Sequence, residues 1–113
     1  MTDCLFCRIS AGDIPADIVA RSDRALAFRD IQPQAPVHVL IIPKKPIARV
    51  SEASRDDQAV LGHLLLTAGT IARKLQLAHG YRLVINNGPQ ACEYVPHLHI
   101  HLLAQRQMNW PPG

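Results

Sequence analysis

The rhythm of apolar and polar positions changes several times along the chain, and each change marks an element. Residues 4–10 (Cys4-Leu5-Phe6-Cys7-Arg8-Ile9-Ser10) are apolar enough for a short helical turn that stops at Gly12. Two short apolar runs, 18–21 and 25–29, flank the polar triplet Ser22-Asp23-Arg24 and predict a hairpin. Residues 31–36 carry Pro33 and Pro36, neither of which can donate to a sheet ladder, so this connector is loop. Residues 37–42 (Val37-His38-Val39-Leu40-Ile41-Ile42) are β-branched and closed by Pro43, the clearest strand in the chain. Lys44-Lys45-Pro46 then reads as an exposed turn.

Beyond it the period becomes helical. Leu61, Leu64, Leu65, Ala68, Ile71, Ala72 and Leu75 recur at the i, i+3, i+4, i+7 spacing of a buried helical face. Ser54 is placed as N-cap, Asp56 and Asp57 fall in the first turn, and Arg73 and Lys74 near the end suit the helix dipole. Gly80 is the expected stop. Gly62 and Gly69 share one face, either as tolerated glycines or as a place where another backbone approaches. Residues 81–87 and 97–103 predict two more strands, joined by a loop over 88–96. Five strands with one long and one short helix make an α+β domain with an antiparallel sheet.

Composition narrows the class. With 113 residues, 48% apolar and 19% charged, the chain fits one folded domain, residues 1–113, and no second. Net charge is +3, but Lys and Arg are scattered, so no nucleic-acid partner is expected. No apolar run approaches the roughly 18 residues of a membrane span. Met1-Thr2-Asp3-Cys4 lacks the basic start and apolar stretch of a signal peptide. Three cysteines, an odd number, read as thiols in a reducing compartment rather than a disulfide framework, and a cytoplasmic protein is expected.

The chemistry centres on His97-Leu98-His99-Ile100-His101. In a strand, side chains alternate, so three imidazoles share one face while Leu98, Ile100 and Leu102 share the other. Same-face neighbours sit about 6.6 Å apart, which puts His97 and His101 about 13 Å from each other. One metal ion cannot gather all three. Imidazoles that act on a substrate and pass protons fit better, and a neutral middle histidine can itself attack phosphorus. Cys4-x-x-Cys7 reads either as half of a metal site or as two small residues on a short helix. Asp30, ahead of a proline loop, reads as a turn-former or a polar anchor. His38 reads as a satisfied core histidine, and Trp110 near the chain's end as a group that docks on another surface.

His97-Leu98-His99-Ile100-His101-Leu102-Leu103 resembles the His-φ-His-φ-His-φ-φ signature of the histidine-triad (HIT) family. Leu5-Phe6-Cys7, Ala27-Phe28-Arg29-Asp30-Ile31, Pro33-Gln34-Ala35-Pro36-Val37-His38, Ile42-Pro43-Lys44-Lys45, Gly80-Tyr81-Arg82 and Arg106-Gln107-Met108-x-Trp110-Pro111-Pro112-Gly113 resemble its Hint branch. The resemblance runs ungapped from about Cys4 to Gly113. It implies a homodimer whose sheets join into one, binding of purine nucleotides, and hydrolysis of their phosphoramidates. It also implies that His99 is the nucleophile, with His97, His101 and His38 in the proton network. Asp30 would hold the ribose, with Ile31, Phe28 and Phe6 around the base. Asn86 and the Cys92-Glu93-Tyr94 loop would lie on the phosphate side, and Trp110 would reach a partner's site.

Two departures stand out. Where the family pattern has Gly-Gly-Gln-Ser, this chain has Ala91-Cys92-Glu93-Tyr94, so a longer hydroxyl replaces serine and Glu93 brings a negative charge toward an anionic substrate. Ala104-Gln105 stands where the pattern has a glycine pair. Zinc-binding relatives use the CxxC pair, the first triad histidine and a further histidine whose position here is Pro46. Cys4, Cys7 and His97 are thus one ligand short, and no zinc or other cofactor is expected. Besides a phosphoramidase, the sequence leaves a nucleotide-binding regulator, favoured by the altered loop, and a dinucleoside polyphosphate hydrolase, which fits the Trp110-Pro111-Pro112-Gly113 ending less well.

Overall fold

The structure, a computed structural model, describes residues 4–113. Residues 1–3, on which the reading of the chain start rested, lie outside them. A short helix α1 (Leu5–Ser10) precedes strands β1 (Ile18–Arg21), β2 (Ala25–Arg29) and β3 (Val37–Pro43). Helix α2 (Gln58–Lys74), strand β4 (Tyr81–Val84) and strand β5 (Ile100–Ala104) complete the domain. The five strands form one antiparallel sheet in the order β1-β2-β3-β5-β4. Among the described residues no helix is long and apolar enough to cross a membrane.

The expected fold class is thus observed, with shifted boundaries. The long helix starts at Gln58, after a 3-10 turn over Arg55–Asp57, because Asp57 Oδ2 accepts the Ser54 N–H at 2.9 Å and closes that turn first. It ends before Gly80. Gln76 takes the left-handed φ of +58°, and the Leu77 N–H donates to the Ala72 carbonyl at 2.9 Å while Gln76 N–H donates to Arg73 at 3.1 Å. That is a Schellman closure with glutamine where glycine is usual. Leu65, expected in the buried stripe, is half exposed; the stripe that packs on the sheet is Leu64, Ala68, Ile71 and Ala72. β4 stops at Val84 and β5 begins only at Ile100, since β3 pairs with β5 no further than Ile41↔Ile100. Residues 97–99 leave the ladder and lie along the chain that follows β3, with the Leu98 N–H donating to the Ile47 carbonyl at 2.7 Å.

The sheet is apolar on both faces, so the side chain at each strand position is assigned by parity. Val39, Ile41, Ile100 and Leu102 pack with Leu64, Ala68 and Ile71 under α2. Leu26, Phe28, Leu40 and Ile42 face the other way, against Phe6 of α1. His38 and His101 carry the parity of this second face, as does His99 just before the ladder. Leu64 has no exposed surface. Leu64→Ala is expected to lower the unfolding free energy by about 3 kcal/mol, read as a lower urea midpoint at unchanged m-value.

Candidate active site

Strand pairing sets His38 of β3 beside His101 of β5, and the hydrogen bonds around them assign the protons. The Gln34 backbone N–H donates to His38 Nδ1 at 3.0 Å, so the His38 proton is on Nε2. His38 Nε2–H then donates to His101 Nδ1 at 2.8 Å. The remaining His101 proton therefore sits on Nε2. Burial lowers the His38 pKa, and burial, then His99 and His38 nearby, push His101 down to about 4. Both rings are neutral near pH 7.

His99 is arranged in the opposite sense. Its Nδ1–H donates to the His97 carbonyl at 2.8 Å, which leaves the lone pair on Nε2. The ring is 8% exposed, edge-on to Phe6 at 5.1 Å and to His101 at 4.9 Å between centroids. An imidazole whose lone pair is held on one fixed nitrogen is a nucleophile or a base. A neighbouring imidazole with N–H on its free nitrogen is a donor. Both line one cavity of about 490 Å3.

Phe6, Phe28 and Leu40 supply apolar wall to that cavity, and Ile31, nearly fully exposed, stands at its rim. Asp30 adds a carboxylate whose Oδ1 accepts the Gln32 N–H at 2.8 Å and whose Oδ2 lies 3.4 Å from His38 Nε2. Cys92 and Tyr94 close the cavity from the loop before the triad. Ile9, Ile14, Pro15 and Ala16 also line it, which sequence periodicity gave no means to see, because they sit on α1 and an irregular connector. The sequence profile of the HIT domain family matches residues 11–108. The chain belongs to the HIT family.

An uncharacterized HIT-like protein of Synechococcus elongatus is 57% identical over 98% of this chain and 97% of its own length. The adenylylsulfatase HINT1 of Arabidopsis thaliana is 49% identical over 96% of this chain and 76% of its own length. Among solved structures, a HIT family hydrolase from Legionella pneumophila superposes with a TM-score of 0.96 at 49% identity, covering 98% of this chain and all of that one. A histidine-triad protein from Clostridium difficile superposes at 0.93 with 34% identity, covering 96% of each chain.

Five residues expected around the site in this HIT chain do not line the cavity, His38 among them, because it stands behind His101. His97, 1% exposed, donates Nε2–H to the Pro43 carbonyl at 2.9 Å and turns Nδ1 toward Cys4 Sγ and Cys7 Sγ, at 3.0 and 3.3 Å. It therefore sits beneath the site, apart from His99 and His101. Asn86 donates Nδ2–H to the Ala91 carbonyl at 2.6 Å and braces the loop. Trp110 is exposed and does not line this cavity. Glu93 corrects a further expectation. Its carboxylate does not stand free before an anion but is gripped by Arg49, with Nε to Oε1 at 2.9 Å and Nη2 to Oε2 at 3.0 Å. That grip holds its pKa below the usual carboxylate range. Arg49 carried no motif and was missed in the sequence; only the fold brings it to Glu93.

The Sγ atoms of Cys4 and Cys7 lie against each other beside His97 Nδ1. Their position explains it: Cys4 caps α1, its Sγ accepts the Cys7 N–H at 3.1 Å, and the two sulfurs meet across one turn. Cys4, Cys7 and His97 Nδ1 would offer a metal three donors within 4.8 Å of one another. A closed tetrahedral site needs a fourth, and Pro46, exposed, cannot supply it. Among the described residues these three donors leave a closed tetrahedral zinc site one ligand short. In long-range proton–nitrogen NMR near pH 7, His99 is expected as the Nδ1–H tautomer and His38, His97 and His101 as Nε2–H; an Nε2–H signal for His99 would overturn the proton assignment.

Proposed function

We propose that the chain is a nucleotide hydrolase that cleaves the P–N bond of purine nucleoside 5′-phosphoramidates, of the AMP–amine or AMP–lysine type. The observation that carries this reading is the Nδ1–H bond from His99 to the His97 carbonyl, which fixes a lone pair on Nε2 inside a cavity of nucleotide size. In the first step Nε2 attacks the α-phosphorus, a bond from His99 to phosphorus forms, and the P–N bond breaks. The amine departs with a proton taken up from solvent, while the His101 Nε2–H donates to the phosphoryl oxygen, with His38 behind it. In the second step water attacks the phosphorus, the bond to His99 Nε2 breaks, and the proton lost by water returns to solvent. Asp30 holds the ribose hydroxyls, while Phe28, Phe6 and Ile31 flank the base. The naming of a 49% identical relative as an adenylylsulfatase supports an adenylyl substrate.

The protein acts as a homodimer in this reading. Strand β4 is an edge of the sheet, and Leu65, Leu66 and Tyr81 are exposed apolar side chains of α2 and β4. Their burial by a second copy would extend the sheet and give Trp110 a surface to meet. Sedimentation is expected to give twice the 12.5 kDa chain mass, and a monomer at micromolar concentration would exclude that assembly.

The decisive assay is steady-state hydrolysis of adenosine 5′-phosphoramidate beside adenylyl sulfate. His99→Ala is expected to lose about a thousandfold or more in kcat while AMP binding persists. Asp30→Ala is expected to raise KM about tenfold, from loss of charge-assisted hydrogen bonds to ribose. Wild-type protein that binds AMP but turns over neither substrate would sink the hydrolase and leave the nucleotide-binding regulator. Hydrolysis of adenylyl sulfate alone would keep His99 as nucleophile and reassign the leaving group.

A further inference from the structure

Residues 88–94 form the loop that leads into the triad, and several hydrogen bonds hold them in place. Ala91 N–H and Glu93 N–H both donate to the Gly88 carbonyl, at 3.1 and 3.2 Å, and Cys92 sits at a left-handed φ of +62°. Glu93 Oε1 accepts the Gly88 N–H at 3.0 Å in addition to the Arg49 fork. The carboxylate, 10% exposed, thus takes three N–H donors and ties both ends of the loop together. Arg49 is itself fixed. It also pairs with Glu52, the Ser51 N–H donates to Asn87 Oδ1 at 2.9 Å, and Ile47 holds the Leu98 N–H two residues away.

We propose that Arg49 is a positioning residue for the nucleotide site: through its two-pronged bond to Glu93 it sets the shape of the 88–94 loop and cancels a carboxylate that would otherwise repel the substrate phosphate. The inference rests on the reading of this loop as the phosphate side of the site. A planar guanidinium matches a carboxylate in two parallel bonds, which fixes orientation as well as charge. Glu93 lies within electrostatic reach of His99, so an unpaired charge there is felt where the phosphate must sit. The same carboxylate that looks hostile to an anion in the sequence is, once paired, the clasp of the loop. Removing Arg49 alone should then be worse than removing both charges.

The test compares Arg49→Met with the double variant Arg49→Met, Glu93→Gln, in the full chain. The glutamine carbonyl can still accept the Gly88 N–H but carries no charge. Arg49→Met is expected to raise KM for adenosine 5′-phosphoramidate and the Kd of AMP about tenfold, with faster hydrogen exchange over 86–95. The double variant is expected to return both constants to within about threefold of wild type. Wild-type KM and Kd in Arg49→Met, whatever its melting temperature, would overturn the proposal by leaving Arg49 a purely structural role. A double variant no better than the single would overturn it too. Should Arg49→Met not fold, Arg49→Lys, which keeps the charge and loses the fork, is read in its place with an intermediate Kd expected and a wild-type one overturning the proposal. If the wild type binds AMP without hydrolysing either substrate, the hydrolase reading fails, and the AMP series alone decides this one.

Discussion

The antiparallel pairing of β3 with β5 is the constraint from which the rest of the site follows. It places His38 and His101 on neighbouring strands with a shared parity, close enough for one ring to donate to the other at 2.8 Å. The opposite parity of the same strands supplies Val39, Ile41, Ile100 and Leu102 to the core under α2. A slip of one residue would therefore exchange imidazoles for aliphatic side chains on both faces at once. Core packing and site geometry are held by the same register.

Within that frame, backbone groups rather than acidic side chains set the protons. The Gln34 N–H points into His38, the His97 carbonyl takes the His99 proton, and Pro43 takes that of His97. These partners come from a proline loop, from the triad itself and from the end of β3. The result is a His99 nitrogen and a His101 nitrogen with opposite hydrogen-bonding roles in one cavity, although burial keeps His101 and His38 uncharged. A site whose imidazoles are oriented by backbone groups differs from a Ser-His-Asp arrangement, where a carboxylate orients the ring. Here Asp30 stands 3.4 Å from His38 Nε2 but faces the cavity as well, free to meet a polar ligand.

Charge near the loop is handled by pairing. Glu93 is exchanged from solvent to Arg49 and Gly88, and Lys45 donates to Asp57 Oδ1 at 2.5 Å, where it lowers the Asp57 pKa while Asp57 closes the entry to α2. Both pairs join residues far apart in sequence across the irregular segment after β3. That segment has little secondary structure of its own, so side-chain bonds carry the work that a ladder does elsewhere.

Much of this was legible in the sequence. The alternation in 97–103 separated imidazoles from aliphatics, and the 3.6-residue period over 61–75 located α2, because both patterns follow from local geometry alone. The family resemblance singled out His38 and Asp30, which pattern reading left open as a core histidine and a turn-former. What the sequence could not give are relations set by distance in space. The three triad histidines separate into two above, facing the cavity, and one below, facing Cys4 and Cys7, because residues 97–99 leave the ladder to follow the chain after β3. Glu93 reads as a repulsive charge until the fold brings Arg49 to it from 44 positions away. Local periodicity determines which face a residue takes; only the packed chain decides what that face meets.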